Sequence, residues 1–214
     1  MATTRLIFIR HGETQWNRDL RIQGHQNILL GDLGRVQAKK LASRLAGEKL
    51  GAIYSSDLDR AYETAVSIAE QHGLPVTKLP ALREGCFGQW EGLNSAEIQA
   101  RFPEIQARYR QDNVNTRAPG GESCADLSAR AVAAVREIAA RHPGETVAVV
   151  SHGGTLKTIL CDALGLPLEK RHRFSIGNAS VSVVEYRDNG PVVISLNDTF
   201  HLEGAWFDDE DLNS

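Results

Sequence analysis

Leu6-Ile7-Phe8-Ile9-Arg10-His11-Gly12-Glu13-Thr14 is the stretch that decides the fold. Four apolar residues end abruptly in a cation and an imidazole, and a glycine follows. A short unbroken apolar run closed by a turn signal reads as a strand buried on both faces. Open α/β sheets bind their ligands just beyond the carboxyl ends of such strands. Arg10 and His11 therefore stand where that fold puts a ligand. Taken alone, the pair is a surface charge beside a satisfied histidine. Its meaning depends on whether the pattern recurs.

The pattern does recur. Thr146-Val147-Ala148-Val149-Val150 is a second buried run, and it ends in Ser151-His152-Gly153-Gly154. Ala52-Ile53-Tyr54 is shorter and ends in Ser55-Ser56; Val76 to Leu79 is another candidate, with Leu82-Arg83-Glu84-Gly85 beyond it. Helical patterns lie between these runs. Asp32 to Gly47 carries Leu33, Val36, Leu41 and Leu45 at near-helical spacing, and Asp57 to His72 is closed by Gly73 and Pro75. Ser56 and Asp59 resemble a capping box, which sets Arg60 in the first helical turn. A helix ending at His142 turns Leu127, Ala131, Val135 and Ile138 inward, and another spans Thr155 to Leu164. Residues 15–24 read as a polar loop. Asn94 to Asn115 is helical but polar and is broken at Pro103. Ser180 to Tyr186 and Pro191 to Leu196 read as a hairpin around Asp188-Asn189-Gly190.

Strands alternating with helices predict an α/β fold, a three-layer α/β/α sandwich with a mostly parallel central sheet. Antiparallel strands at one edge and a small helical lid around residues 85–120 complete it. The 214 residues fit one domain spanning 1–214, since neither repeat nor linker divides them. A hydrophobic content of 42% and a net charge of -3 give no pull toward nucleic acid or anionic membrane. No apolar run is long enough to span a bilayer. The start of the chain lacks a signal peptide's apolar region, so a cytoplasmic location is expected. Cys86, Cys124 and Cys161 are an odd count without paired spacing, as in reduced thiols. The acidic run Asp208-Asp209-Glu210-Asp211 reads as a solvated end.

If the strands are neighbours, one crevice holds His11 and His152, Arg10 and Arg60, and Glu84. That set suits a phosphomonoester. Two guanidiniums hold phosphoryl oxygens in bidentate fashion, and helix N-termini add N–H donors. A neutral imidazole attacks phosphorus, and neighbouring cations keep its nitrogen free by lowering its pKa. Glu84 protonates the leaving oxygen, provided that a crowded, partly apolar site raises its pKa.

The same residues carry a family resemblance. Arg10-His11-Gly12-Glu13-Thr14 with Asn17 resembles the signature of the histidine phosphatase superfamily, in its phosphoglycerate mutase-like branch. Arg21-x-Gln23-Gly24, Ser55-Ser56-Asp57-Leu58-Asp59-Arg60-Ala61 with Thr64-Ala65, Leu82-Arg83-Glu84, Pro119-Gly120-Gly121-Glu122-Ser123 and Ser151-His152-Gly153-Gly154 resemble the family's other motifs, in its order. The resemblance runs from residue 5 to about 165, and more loosely to the end. It implies His11 as the nucleophile that becomes phosphohistidine, and Arg10, Arg60 and His152 as the phosphoryl-binding groups. It also implies help from Asn17 and the Gly153 N–H, with Glu84 as acid and then base, and Gln23 and Gly24 lining the substrate side. It implies neither metal nor cofactor. Two departures stand out: Asn27-Ile28-Leu29-Leu30-Gly31 is more apolar than in relatives, and Asp57 replaces a frequent proline.

Several features have blander readings. Cys124 and Arg130 have the Cys-x5-Arg spacing of cysteine phosphatases, but the residues between them favour helix over a phosphate-wrapping loop. Gly153 to Thr158 lacks the adjacent Gly-Lys of a P-loop. His25, His72, His142 and His172 sit in loops or at helix ends and read as surface or capping groups, and Trp16 and Cys161 as packing. Asn178-Ala179-Ser180 and His201 are similar to the C-terminal region of metal-independent phosphoserine phosphatases in this superfamily, which makes His201 a substrate-side candidate. Three functions follow: a phosphatase of a small phosphorylated metabolite, a cofactor-dependent phosphoglycerate mutase, and a non-catalytic phospholigand-binding protein. The short stretch between Glu84 and Pro119 favours hydrolysis, because a small lid leaves a phosphohistidine open to water. The sequence leaves the oligomeric state open, a homodimer being one option.

Overall fold

The computed structural model describes residues 2–203. The acidic run at 208–211 lies outside them. β1 (Thr4–Arg10) is the predicted buried strand, and its alternation builds two cores. Leu6 and Phe8 face one side and join Val147, Val149, Ala131 and Val135. Ile7 and Ile9 face the other and join Leu41, Ala61, Ala65, Ile68 and Val150. All four β1 side chains are at most 1% exposed, which explains an apolar run without polar alternation.

A one-turn helix α1 (Gln15–Arg18) follows, then α2 (Asp32–Leu45), β2 (Leu50–Ser55), α3 (Asp59–His72) and β3 (Val76–Lys78). Two short helices α4 (Ser95–Arg101) and α5 (Pro103–Gln111) form the insertion, split where Pro103 ends the first. α6 (Cys124–Arg141), β4 (Thr146–Ser151), α7 (Gly153–Leu164), β5 (Val181–Arg187) and β6 (Gly190–Asp198) complete the chain. The sheet order is β3-β2-β4-β1-β5-β6. β1, β4, β2 and β3 are mutually parallel, while β5 pairs antiparallel with β1 and with β6. α2 and α3 cover one face and α6 and α7 the other, giving three layers. β4 enters between β2 and β1, with Arg10 level with Ser151 and Ser55 with Val150. Three strand ends thus lie side by side.

Local differences from the sequence reading have physical causes. Val36 is 44% exposed; α2 instead buries Gly34, Gln37, Ala38, Leu41, Ala42 and Leu45. Small residues are needed there because the turn after β1 docks backbone to backbone: a Cβ on Gly34 would lie 2.0 Å from the Glu13 carbonyl oxygen, and one on Gly12 2.5 Å from that of Gly34. Ser56 does not cap α3, whose N-cap residue is Leu58. Asn27 takes over: its Oδ1 accepts the Asp59 N–H at 2.8 Å and its Nδ2 donates to the Asp59 carboxylate at 2.6 Å. α7 begins at Gly153, two residues earlier than predicted, directly on the end of β4.

Candidate active site

A cleft of about 180 Å3 opens over the carboxyl ends of β1, β2 and β4. Arg10, His11, Asn17, Gln23, Gly24, Arg60 and Glu84 line it together. His152 meets the His11 ring edge-on, with centroids 5.1 Å apart. Gly153 packs on the Arg10 guanidinium, where a Cβ would sit 3.3 Å from Nε. His201 is not brought to the cleft. Its Nδ1 faces the Arg44 guanidinium at 3.1 Å, and Arg44 also holds Asp198 at 2.5 Å.

His11 is 3% exposed. Its Nδ1 lies 2.7 Å from the Gly12 carbonyl oxygen, which only an N–H can face at that distance. The proton is therefore on Nδ1, and Nε2 keeps its lone pair. The turn carrying it is fixed from several sides: the Gly12 N–H donates to Thr64 Oγ1 at 3.1 Å, the Glu13 N–H to Gln37 Oε1 at 2.8 Å, and Asn178 Nδ2 to the His11 carbonyl at 3.2 Å. Burial holds the His11 pKa well below the usual histidine value, with Arg60 and then Arg10 adding to the effect. His152 is shifted the same way by burial, Arg60, His11 and Arg10. Its Nε2 is 2.8 Å from Ser56 Oγ, while its buried Nδ1 has no partner among the described residues.

Neither cleft guanidinium is matched by a carboxylate in a salt bridge among the described residues. Arg10 donates to the Ile176 carbonyl at 2.7 Å, and Arg60 to the Gln26 and Gly24 carbonyls, each at 2.8 Å. Both Nε atoms are buried and have no partner among the described residues, and Arg60 as a whole is 1% exposed. Burial lowers the Arg60 pKa to about 10, well above neutrality, so the charge stays. The cleft is thus an electropositive, partly dry hollow in which, among the described residues, no carboxylate is hydrogen-bonded to either guanidinium, Glu84 being the acidic group on its wall.

Glu84 hangs over this hollow from the loop after β3. Its surroundings are polar rather than the crowded apolar ones expected. Oε1 accepts the N–H groups of Gly85 and Thr155, both at 3.0 Å, and the Thr155 hydroxyl at 3.2 Å. Oε2 accepts the Gly154 N–H at 2.9 Å. The carboxylate therefore sits on the N-terminus of α7, whose first N–H groups have no intrahelical partner. The backbone of Glu84 is equally tied: its carbonyl accepts from His25 Nε2 and from Arg130 Nη2, each at 2.8 Å.

Those last contacts are residues that sequence reasoning missed. His25, read as a surface group, positions Glu84. Arg130, met only as half of a Cys-x5-Arg spacing, donates to the Ala81 and Arg83 carbonyls at 2.9 Å and pairs with Glu122 at 2.6 Å. It is a clamp on the Glu84 loop, and burial raises the pKa of the Cys124 thiol, which disfavours a thiolate nucleophile. Asp57 forms a two-point pair with Arg83, at 2.7 and 2.6 Å, so the departure there fastens the β2 end to the same loop. Trp16 packs on Gly92 and Cys161 is fully buried, as expected of packing residues. Among the described residues no group of three or more His, Cys, Asp or Glu is arranged to hold a metal ion, and no helix is long and apolar enough to cross a membrane.

Comparison with known proteins adds a family. The profile of the histidine phosphatase superfamily (branch 1) matches residues 6–199. Phosphoserine phosphatase 1 of Hydrogenobacter thermophilus is 38% identical over 198 residues, covering 92% of this chain and 94% of its own. Glucosyl-3-phosphoglycerate phosphatase of Mycobacterium tuberculosis is 38% identical over 190 residues, 84% of each chain. The Entamoeba histolytica phosphoserine phosphatase solved with phosphoserine superposes with a TM-score of 0.85 at 32% identity, covering 93% of this chain and 99% of that one.

Proposed function

We propose, from the premise that this chain belongs to the histidine phosphatase superfamily (branch 1) and is a phosphomonoester hydrolase, that it cleaves a small phosphorylated metabolite through a phosphohistidine on His11. One observation carries the reading: a buried imidazole with a free Nε2 lies beside two guanidiniums that lack carboxylate partners. A phosphoryl dianion supplies the missing charge.

In this reading His11 Nε2 attacks phosphorus in line with the ester oxygen. Arg10, Arg60 and the His152 Nδ1 edge hold the equatorial oxygens, assisted by Asn17 and the Gly153 N–H, while Gln23 and Gly24 line the substrate side. Charge spread over those oxygens is what fixed cations stabilise best. Glu84, which takes up a proton as the phosphoryl dianion enters beside it, passes that proton to the leaving alkoxide as the P–O bond breaks. Glu84 then takes a proton from water, whose oxygen displaces His11 and releases phosphate. The depressed His11 pKa keeps the free imidazole neutral before it attacks, and the ring carries a positive charge only while Nε2 is bonded to phosphorus. The helical insertion α4–α5 is the candidate lid, and it is small enough to admit that water.

The test is chemical trapping during turnover of phosphoserine, with His11→Ala as control. An alkali-stable, acid-labile phosphoenzyme is expected in wild type and is absent from the variant. Turnover that survives His11→Ala, or interconversion of 2- and 3-phosphoglycerate faster than phosphate release, overturns the proposal.

A further inference from the structure

The two histidines at the strand ends are both buried, at 3% exposure for His11 and 0% for His152. Among the described residues no carboxylate bonds either ring, and two guanidiniums stand near, so each imidazole is neutral and has one N–H. Different partners decide where that N–H lies. For His11 the partner is the Gly12 carbonyl, a pure acceptor, which takes the proton at Nδ1. For His152 it is a hydroxyl, which can donate or accept. Nε2 of His152 lies 2.8 Å from Ser56 Oγ, and its Nδ1 has no partner among the described residues. Ser56 therefore decides the tautomer of His152.

Ser56 is itself fully buried, and its other polar groups are taken. Its N–H donates to the Val150 carbonyl at 3.0 Å, which carries the β2–β4 ladder one residue past the end of β2. Its carbonyl accepts the Ser55 hydroxyl at 2.8 Å, and its Oγ accepts the Leu58 N–H at 3.3 Å. The Ser56 hydroxyl hydrogen then has one acceptor among the described residues, His152 Nε2. The reverse arrangement has Nε2–H donating to Oγ. It buries an O–H without an acceptor and an Nδ1 lone pair without a donor. With the hydroxyl as donor, a single group is left unsatisfied, the Nδ1–H, and a phosphoryl oxygen satisfies it.

We infer that Ser56 is a positioning residue that fixes the tautomer of His152: its hydroxyl donates to Nε2, so the ring's N–H is on Nδ1 and is given to the phosphoryl group. The phosphoryl contact rests on the proposed function; the place of the proton does not. The two imidazoles thus share a tautomer and take opposite roles. His11 keeps an open lone pair on Nε2 and attacks. His152 has its lone pair occupied by Ser56, so it donates and does not compete as a nucleophile.

A long-range proton–nitrogen correlation spectrum of the nitrogen-15-labelled protein near neutral pH reads the tautomer directly, with His152 assigned by the loss of its signals in His152→Gln. Wild type is expected to carry the His152 proton on Nδ1. Ser56→Ala removes one oxygen, and in it the proton is expected to lose that bias and appear on Nε2 as well. Its kcat on p-nitrophenyl phosphate is expected to fall about 5–50-fold with KM changed less, a part of the about 10²–10³-fold that a lost transition-state donor costs. A wild-type proton on Nε2 overturns the inference, and this spectrum decides even where Ser56→Ala does not fold. A Ser56→Ala protein that keeps the wild-type kcat overturns it too. So does one that loses activity with the proton still on Nδ1, the mark of a merely structural hydroxyl. Turnover and a trapped phosphohistidine in a wild type with the proton on Nε2 sink this inference alone. Absence of both turnover and phosphohistidine sinks the proposed function, and the phosphoryl contact of His152 with it.

Discussion

Replacing Glu84 with glutamine separates its two roles, proton donor and keystone of the α7 N-terminus. The carboxylate accepts from two N–H groups and a hydroxyl on Oε1 and from one N–H on Oε2. An amide has a single acceptor oxygen. Its better orientation puts that oxygen at the Oε1 position and turns the NH2 toward the Gly154 N–H, donor against donor. One buried contact is lost and repulsion is added, worth about 1–3 kcal/mol. For a chain of this size that is roughly 2–12 °C in Tm. The chemical loss is separate. A positioned general acid contributes about 10²–10⁴-fold when the leaving group is a poor one. Phosphoserine, which leaves as an alkoxide, should lose that factor in kcat, while p-nitrophenyl phosphate, which leaves as a stable phenolate, should lose little. Thermal melts and steady-state rates on the two esters measure both effects. Equal rate losses on the two esters would remove Glu84 from the acid role. An unchanged Tm would show that its N–H cradle does not hold the loop.

Gly154→Ala puts a Cβ 2.5 Å from Glu84 Oε1, in a helix that otherwise welcomes alanine. The flexible carboxylate gives way, so kcat on phosphoserine should fall about 10–100-fold with KM little changed. Arg130→Met strips three loop carbonyls and the half-buried Glu122 of their donor. About 2–4 kcal/mol of stability should go with it, seen as a lower urea midpoint. Stability should also fall with acidity. His11 and His152 are buried and neutral, with pKa values depressed in the folded state, and His201 is shifted the same way. The unfolded chain therefore binds more protons below its own histidine pKa of about 6.5. Stability is full above that pH and drops as pH falls below it, until the folded pKa values are reached. The slope reaches about 1.4 kcal/mol per pH unit for each such histidine. Chemical denaturation between pH 7 and 5.5 should show the decline, reduced in His11→Asn; a flat profile contradicts the neutral imidazoles.

Period and punctuation made much of the fold legible. Leu6 to Ile9 could only be a two-faced strand, and the recurrence at Thr146 to Val150 implied a parallel partner. The helix of Leu127, Ala131, Val135 and Ile138 is buried at all four positions. What stayed hidden was set by neighbours distant in sequence. Val36 looks inward by spacing, yet Gly34 and Gln37 hold that face because the turn at Gly12 comes too close for a side chain. Ser56 looks like a cap until His152 is seen to engage its hydroxyl from 96 residues away. In the cleft, the titratable groups were readable because their chemistry is rare at strand ends. Their supports were not, since N–H groups, carbonyls and the clamp of Arg130 carry no mark in the sequence. His201 shows the reverse error: a suggestive residue type, held by Arg44 outside the cleft.

The position of β4 also bears on how the chain acquires its cleft. β1 precedes the other described strands in the chain, but both of its sheet neighbours, β4 and β5, come from residues beyond 145. Until β4 and β5 have been made, Leu6 to Ile9 is an apolar strand with two open edges, the state most exposed to aggregation during synthesis. β2 and β3 can pair early, yet Arg60 and His11 cannot share a cleft until β4 has slotted between their strands. Long-range strand insertion of this kind is slow. A nascent chain arrested before residue 146 should therefore be both inactive and dependent on chaperones, whereas one released past residue 187 has every strand that the cleft requires.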